Sequence, residues 1–439
     1  MNHNENWFAR SLRAAVKIEQ GELAATLQSF SFIFTLMASY YILRPIRDAM
    51  SSDWSDAELS TLFTATFLFS IVAVSFYGVA CSRIRFRRLV PGVYGFFALS
   101  FLTFYFASHA DTDPGWIRKV FYVWVSVFSL FHVSVFWSYM ADVFSRQQAQ
   151  RLFGFIAAGA SIGAIVGPGI AVALAGVAGP RNLVLVSAGF LLVPMMLVGS
   201  LESRREQHRG GDPGGSDRRS IGGNPFAGFS LFLKSPYLLG IGLFIFLYTA
   251  ISTFVYFELK NLLIGVEEAN RIAIWAGIDL AVNILAIVTA MFATSRLTMR
   301  FGLTATLIVV PLVIVVGLIT LAFSPIIAVV VVLQIVRRAG NYAVTRPGRE
   351  MLFTVVDRES RFKAKSVIDI VVYRGGDAVT AWAFTGLTAG FGIGLGAVAA
   401  VGAVIAAAWA GVALYLGRSY DRKTERDAGA AVVALGEQG

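Results

Sequence analysis

Apolar residues run in blocks along almost the whole chain, separated by short polar breaks. Each block holds about 20 residues, enough to cross a bilayer as a helix. Twelve can be drawn: 24–50, 57–80, 89–108, 117–141, 152–176 and 182–201, then 237–259, 270–295, 302–323, 325–345, 366–388 and 393–417. Between the sixth and seventh, Glu202–Pro236 has no apolar periodicity and carries Gly210-Gly211, Gly214-Gly215 and Gly222-Gly223 among charges. That composition predicts a flexible linker. The pattern as a whole predicts an all-α membrane protein with twelve transmembrane helices in two six-helix halves. The halves are 1–201 and 237–417, joined by the linker 202–236 and followed by a tail, 418–439.

Composition supports the membrane reading. The 439 residues are 56% hydrophobic and 15% charged, where a soluble chain carries about a quarter charged residues, and mean hydropathy is +0.67. The net charge of +10 does not point to nucleic acid, because the basic residues sit in short loops. With the N-terminus inside and residues at span ends counted with the adjoining loop, 27 Lys and Arg fall on the inner side and 7 on the outer, while Arg337, Arg338 and Arg374 lie deeper within spans. This is the bias expected of a cytoplasmic face. One cysteine, Cys81, excludes an intramolecular disulfide. The first 22 residues lack a signal-peptide core. The expected address is a bacterial inner membrane, with both termini cytoplasmic.

The two halves look related. At an offset of 215, Arg85-Phe86 matches Arg300-Phe301, and Asp142, Ser145, Arg146 and Ala149 match Asp357, Ser360, Arg361 and Ala364. Both sets fall in equivalent inner loops. Parallel six-span repeats with a basic central linker resemble the major facilitator type of transporter. In the fifth span, Gly159, Gly163 and Gly167 precede Pro168-Gly169. Glycines four apart allow close helix approach, and the pattern is similar to the Gly-Pro signature of facilitator exchangers.

One five-residue pattern, Arg-Pro-x-Arg-acid, occurs twice: Arg44-Pro45-Ile46-Arg47-Asp48 and Arg346-Pro347-Gly348-Arg349-Glu350. Each copy ends an apolar run. The bland reading is an arginine paired with its own acid, or a stop to the span. The sharper one is an anion site, since guanidinium forks match phosphate and carboxylate. Arg337 and Arg338 stand about 18–20 Å along the helix from Pro325 at 1.5 Å per residue, near mid-bilayer. A charge at that depth is costly unless hydrated or paired. Arg374 lies three residues before Asp377, on one stripe with Asp369 and Tyr373. The expected substrate contacts are therefore Arg44, Arg47, Arg337, Arg338, Arg346, Arg349 and Arg374, with Arg44 or Arg47, Arg337 or Arg338, and Arg346 or Arg349 converging on one cavity. His132, Asp279, Asn283, Asp369 and Asp377 are the expected coupling or polar-cavity residues. A lone His132 among Phe131, Phe136 and Trp137 is more often a hydrogen-bonded packing residue than a proton carrier. No phosphate loop, metal spacing or nucleophile–base pair occurs, so neither an enzyme nor a cofactor is expected.

The stretch from Asn341 to Trp382, NYAVTRPGREMLFTVVDRESRFKAKSVIDIVVYRGGDAVTAW, resembles the nucleotide transporter family, the ATP/ADP translocases of intracellular bacteria and plastids. The resemblance rests on Arg349-Glu350-Met351, the acidic turn from Asp357 to Arg361, and Lys363-Ala364-Lys365 followed by Ile368-Asp369. Tyr40 to Asp48 is similar to the family's first helix. The resemblance covers about 55 residues closely and the rest in hydropathy and length. It implies a twelve-span nucleotide exchanger with Arg47 and Arg349 at phosphate-contacting positions. The family has lysine at both, and a glutamate shortly before a tryptophan in its fourth helix, where this chain has Val135-Phe136-Trp137. The leading reading is a monomeric antiporter of nucleotides or similar organophosphates. A proton-coupled permease for another organic anion, or a non-transporting scaffold or receptor, is the alternative.

The charge asymmetry makes a topological prediction. A cysteine introduced as Gly215→Cys should resist an impermeant thiol reagent added outside intact cells and react after permeabilisation. Labelling from outside would invert the assignment.

Overall fold

A backbone crossing a bilayer finds no water there, so each crossing segment must close its own hydrogen bonds, and a helix does this locally. The computed structural model describes residues 18–19, 21–108, 115–208, 232–357, 365 and 367–436, and no strand occurs among them. The first four helices are α1 (Leu23–Met50), α2 (Asp56–Arg83), α3 (Phe86–Ala107) and α4 (Trp116–Val143). One helical run, Arg146–His208, follows and is broken only at Gly179, where φ is 73°. A positive φ there followed by Pro180 turns the chain and separates α5 (146–178) from α6 (180–208). After α7 (Pro236–Leu262), α8 starts at Glu268, passes a π turn at Ala290–Thr294 and ends at 301. Gly302, with φ 79°, turns the chain into α9 (303–323).

Both α10 and α11 are discontinuous. The former (327–352) joins Ile327–Gly340 to Arg346–Leu352 through a π turn at Asn341–Thr345. The latter (368–390) has π turns at both ends, Ile368–Val372 and Gly386–Gly390. The last helix is α12 (Leu395–Gly436). Ten stretches are apolar and long enough to cross a membrane, one of them the broken α5–α6 run. With α11 the described residues therefore hold twelve helices, in an all-α membrane fold. Several overrun their apolar blocks: α6 takes in the first residues of the expected linker, to His208, and α12 continues past residue 417. Helical hydrogen bonding does not stop where hydropathy falls. The rest of the linker, 209–231, lies outside the described residues.

The helices form two compact units. One holds Met1–Ser51, Leu68–Arg218 and Gly265–Asn283, and the other Ser52–Phe67, Arg219–Ile264 and Ile284–Gly439. Each thus takes one segment from the other half of the sequence.

In the first unit α1 lies against α5 at backbone contact. A Cβ on Gly159, Gly163 or Gly167 would run into the carbonyl oxygens of Phe30, Phe34 and Ala38, at 2.6 Å for the first and last and closer still at Gly163. Both rows advance by four residues, one per turn, which is the small-residue packing that brings helices together where no hydrophobic drive acts between them. The other side of α1 meets α6, where Ser39 and Ser187 exchange hydrogen bonds at 2.8–3.1 Å and Gln28 donates to Ser200 at 2.7 Å. At the N-terminal end Glu22 accepts from Gln148 (2.9 Å) and from both terminal nitrogens of Arg151. Burial raises the Glu22 carboxyl, but these donors and the Glu19 amide outweigh it and hold the group below the usual carboxylate range.

In the second unit α12 packs on α9 through Gly396 and Gly417, whose added Cβ atoms would meet the Ala322 carbonyl at 2.7 Å and collide with Thr304 Oγ1. Buried Trp409 of α12 packs on Phe244 and Tyr248 of α7. Apolar side chains such as Phe76, Phe106, Val177 and Phe323 are left exposed, as a lipid-facing surface requires.

The α1–α5 contact tolerates no added carbon. Gly163→Ala should lower the melting temperature of the purified protein, by overpacking of about 1–3 kcal/mol, and Gly163→Leu should prevent its accumulation. Gly169→Ala, where a Cβ meets nothing within 4 Å, should leave it unchanged.

Candidate functional site

The first Arg-Pro-x-Arg-acid copy closes α1 in the first unit. Arg44, Arg47 and Asp48 stand at i, i+3 and i+4, so their side chains share a face. Asp48, 1% exposed, accepts from Arg47 Nε at 2.9 Å and Nη2 at 2.5 Å, and Arg44 Nε lies 3.5 Å from its other oxygen. Arg44 also reaches Asp279 of α8, Nη1 to Oδ1 at 3.6 Å. Arg47 donates to Ser126 Oγ of α4 at 3.2 Å and sits over the Tyr122 ring at 5.5 Å. Asn283, one turn after Asp279, donates to the Asp279 and Ala164 carbonyls at 2.8 and 2.9 Å. Two guanidinium groups and two carboxylates therefore form one neutral cluster. Beside it Arg271 donates to the Ala49 carbonyl at 3.1 Å, placing a cation at the C-terminal, negative end of α1. His132 is buried on α4, its ring 4.4 Å from that of Tyr40 and 5.5 Å from that of Phe128.

The second unit gathers Arg337, Arg338, Arg374 and Asp377. Arg337 is 2% exposed. Its Nε and Nη2 donate to Gln334 Oε1 at 3.2 and 2.7 Å, and Nη1 to the Tyr248 hydroxyl at 3.5 Å. Its carbon stands over the Tyr248 ring at 5.9 Å. Gln334 lies three residues back, one turn along the same helix face. All of these partners are neutral, and no carboxylate of the described residues is at ion-pair distance from Arg337. The adjacent Arg338, 3% exposed, adds its charge to that of Arg337 at Tyr248. On α11, Asp377 accepts from Thr253 at 3.3 Å and lies within the field of Arg374 and Arg337. Tyr373 faces Tyr248 at 6.4 Å between ring centres. The side chain of Asp369 lies outside the described residues.

The second motif copy folds differently from the first. Pro347 has no amide hydrogen for the carbonyl four residues back, Ala343. That carbonyl instead accepts from Thr294 Oγ1 at 2.7 Å, and the helix widens into the π turn Asn341–Thr345. π turns of this kind recur at functional sites. Arg349 donates to Glu350 at 2.8 Å, and Lys365 Nζ meets the other oxygen of Glu350 at 2.5 Å. Arg346 is exposed.

Sequence reasoning missed three groups. Gln334 and Tyr248 lack charge and gave no signal. Lys260 follows the apolar block 237–259, on the outer side, yet it is 1% exposed on α7 and its ammonium stands 2.6 Å from Asp56 Oδ1. The sequence Glu258-Leu259-Lys260-Asn261 at the end of an apolar run was the available signal.

The Major Facilitator Superfamily model matches residues 29–349. A comparison with curated proteins gives no match. Among solved structures, a bacterial homologue of the human lysosomal transporter Spinster, inward-facing and unoccupied, is similar over 92% of this chain and 99% of its own, at 15% identity and a TM-score of 0.57. The nucleoside transporter NupG is similar over 92% and 99%, at 12% identity and 0.59. A D-xylose–proton symporter is similar over 88% and 97%, at 12% identity and 0.60. At these identities the likeness shows the fold alone.

Removing the shared acceptor of the first cluster should expose its charges. Asp48→Asn should destabilise the purified protein by about 3–5 kcal/mol, the range for breaking a buried pair. Arg47→Gln combined with Asp48→Asn should recover part of that melting temperature. A double variant no more stable than the single one would show that the pairing is not what Asp48 supplies.

Proposed function

The chain belongs to the major facilitator superfamily, and from that premise we propose that it is an antiporter exchanging nucleotides or related organophosphate anions by alternating access. The observation that carries this reading is Arg337, a buried cation with neutral partners only. A fixed positive charge at membrane depth, next to a second one on Arg338, is an electrostatic well for an anion. Its fork and the hydroxyls of Tyr248 and Tyr373 supply donors of the kind phosphate oxygens accept. The paired arginines of the first copy give a second, neutral cluster whose carboxylates an incoming anion must displace. Nucleotides in particular are supported by the resemblance of residues 341–382 and 40–48, which places Arg47 and Arg349 at phosphate-contacting positions. The expected setting is a bacterial inner membrane, with the protein acting as a monomer and both termini cytoplasmic.

Proteoliposomes loaded with nucleotide test this. Uptake of labelled nucleotide should require the internal nucleotide and ignore an imposed pH gradient. Arg337→Gln should abolish it while leaving the melting temperature equal or higher, since a buried unpaired charge is removed. Arg337→Lys keeps charge without the fork and should retain weak uptake. Arg47→Gln and Arg349→Gln should lower uptake as well. Uptake driven by pH and indifferent to internal nucleotide would replace exchange with proton coupling, and full activity in Arg337→Gln would remove the anion site.

A further inference from the structure

Glu258, near the end of α7, is 1% exposed, and neither of its carboxylate oxygens has a hydrogen-bond partner. The surrounding groups are fully engaged with one another. Lys260 meets Asp56 Oδ1 at 2.6 Å, donates to the Trp54 carbonyl at 2.9 Å and stands over the Phe257 ring. Asp56 also accepts from Asn261 at 3.1 Å and from the Thr388 hydroxyl at 2.7 Å. Two more hydrogen bonds dock the first turns of α2 on α11, Ser60 with Thr385 at 2.8 Å and Trp382 Nε1 to Thr64 at 3.0 Å. Glu258 lies two positions from Lys260, and residues at that spacing do not face each other on a helix. The charged neighbour whose field reaches Glu258 is Asp56, another acid, while Glu58 acts on Lys260. On α11 the groups meeting this end of α2 are the hydroxyls of Thr385 and Thr388 and the Trp382 indole.

An ionised carboxylate without donors in such a place would be strongly disfavoured. We propose that Glu258 is a proton-binding site, holding a proton while the start of α2 is docked on α7 and α11 and releasing it when that contact opens. Opening admits water, which takes the proton from the carboxyl and solvates the carboxylate. Closing returns it. The proton enters and leaves at the same end of the unit, so none need cross the membrane with the substrate. Acid on that side favours the docked form. On the topology read from the basic residues, that side is the outer one. The inference does not depend on what the transporter carries.

The test uses the full-length protein in lipid bilayers, with spin labels at Ala57→Cys and Ala389→Cys in a Cys81→Ser background. Both alanines are exposed. The long-distance, undocked population should rise with pH, by up to about tenfold per pH unit for one proton. Glu258→Gln mimics the protonated carboxyl and should stay docked at every pH, and Glu258→Asp should keep a pH response. Infrared spectra near neutral pH should show a protonated-carboxyl stretch that shifts in Glu258→Asp and vanishes in Glu258→Gln. The proposal is overturned if the wild type shows no pH response, if Glu258→Gln responds as the wild type does or fails to fold, or if the band is absent. No substrate enters these readouts, so a failed exchange assay and a failed proton site are distinguishable.

Discussion

A guanidinium at membrane depth keeps its charge, and the low-dielectric surroundings must answer it with another charge, a dipole or water. The polar interior of this chain is organised by that requirement. Asp48 and Asp279 answer Arg44 and Arg47. Asp56 answers Lys260. Arg271 is answered by the end of a helix rather than by an acid, through the Ala49 carbonyl. Glu350 answers Arg349 and Lys365 together. Arg337 alone in this series is met by a side-chain amide and a phenol.

Such pairings demand that backbones come close, because an ion pair between helices such as Arg44–Asp279 at 3.6 Å leaves no room for drift. Along α1 the closeness is supplied by glycine. The stripe Gly159, Gly163, Gly167 touches the carbonyls of Phe30, Phe34 and Ala38, and Arg44 follows within two turns of the last contact. The geometry of the charged cluster is thus inherited from packing against α5, which itself carries no charge in that stripe. At Pro347 the device is different: a threonine hydroxyl from α8 takes over the carbonyl that the proline leaves free, and the helix can carry Arg349 onward without losing a hydrogen bond.

Much of this was legible in the sequence. Hydropathy blocks of fixed length mark the helices because the bilayer fixes their span, and glycines four apart mark a close contact because nothing else permits one. The arginines near mid-bilayer could be picked out for the same reason. What could not be read were partners from distant segments. That Asp56 meets Lys260, or that Thr294 reaches Ala343, depends on which helix ends adjoin, and local periodicity does not encode this. Helix ends were also blurred: the π turns in α10 and α11 leave hydropathy unchanged, and α6 and α12 continue beyond their apolar blocks. The two motif copies read alike on paper, yet Asp48 is buried between two half-buried arginines while Arg346 of the second copy is exposed. Burial of the acid, rather than the motif itself, separates them.

The difference between answered and half-answered charges has an energetic consequence. A hydrogen bond from a charged group to a neutral acceptor contributes about 1.5–3 kcal/mol. An opposite unit charge at about 4 Å contributes roughly 4 kcal/mol at an effective dielectric constant near 20, and a phosphate brings more than one such charge. For the proposed anion, the gain at Arg337 is then of the same order as the three hydrogen bonds that Gln334 and Tyr248 would give up, and both residues can re-bond to the anion or to water. At Arg47 an anion would instead have to displace Asp48, a carboxylate already in contact, and leave it buried without its partner. The gain there is close to zero unless the cluster rearranges as a whole. On the proposed function, binding at Arg337 breaks no ion pair, whereas binding at Arg47 breaks one.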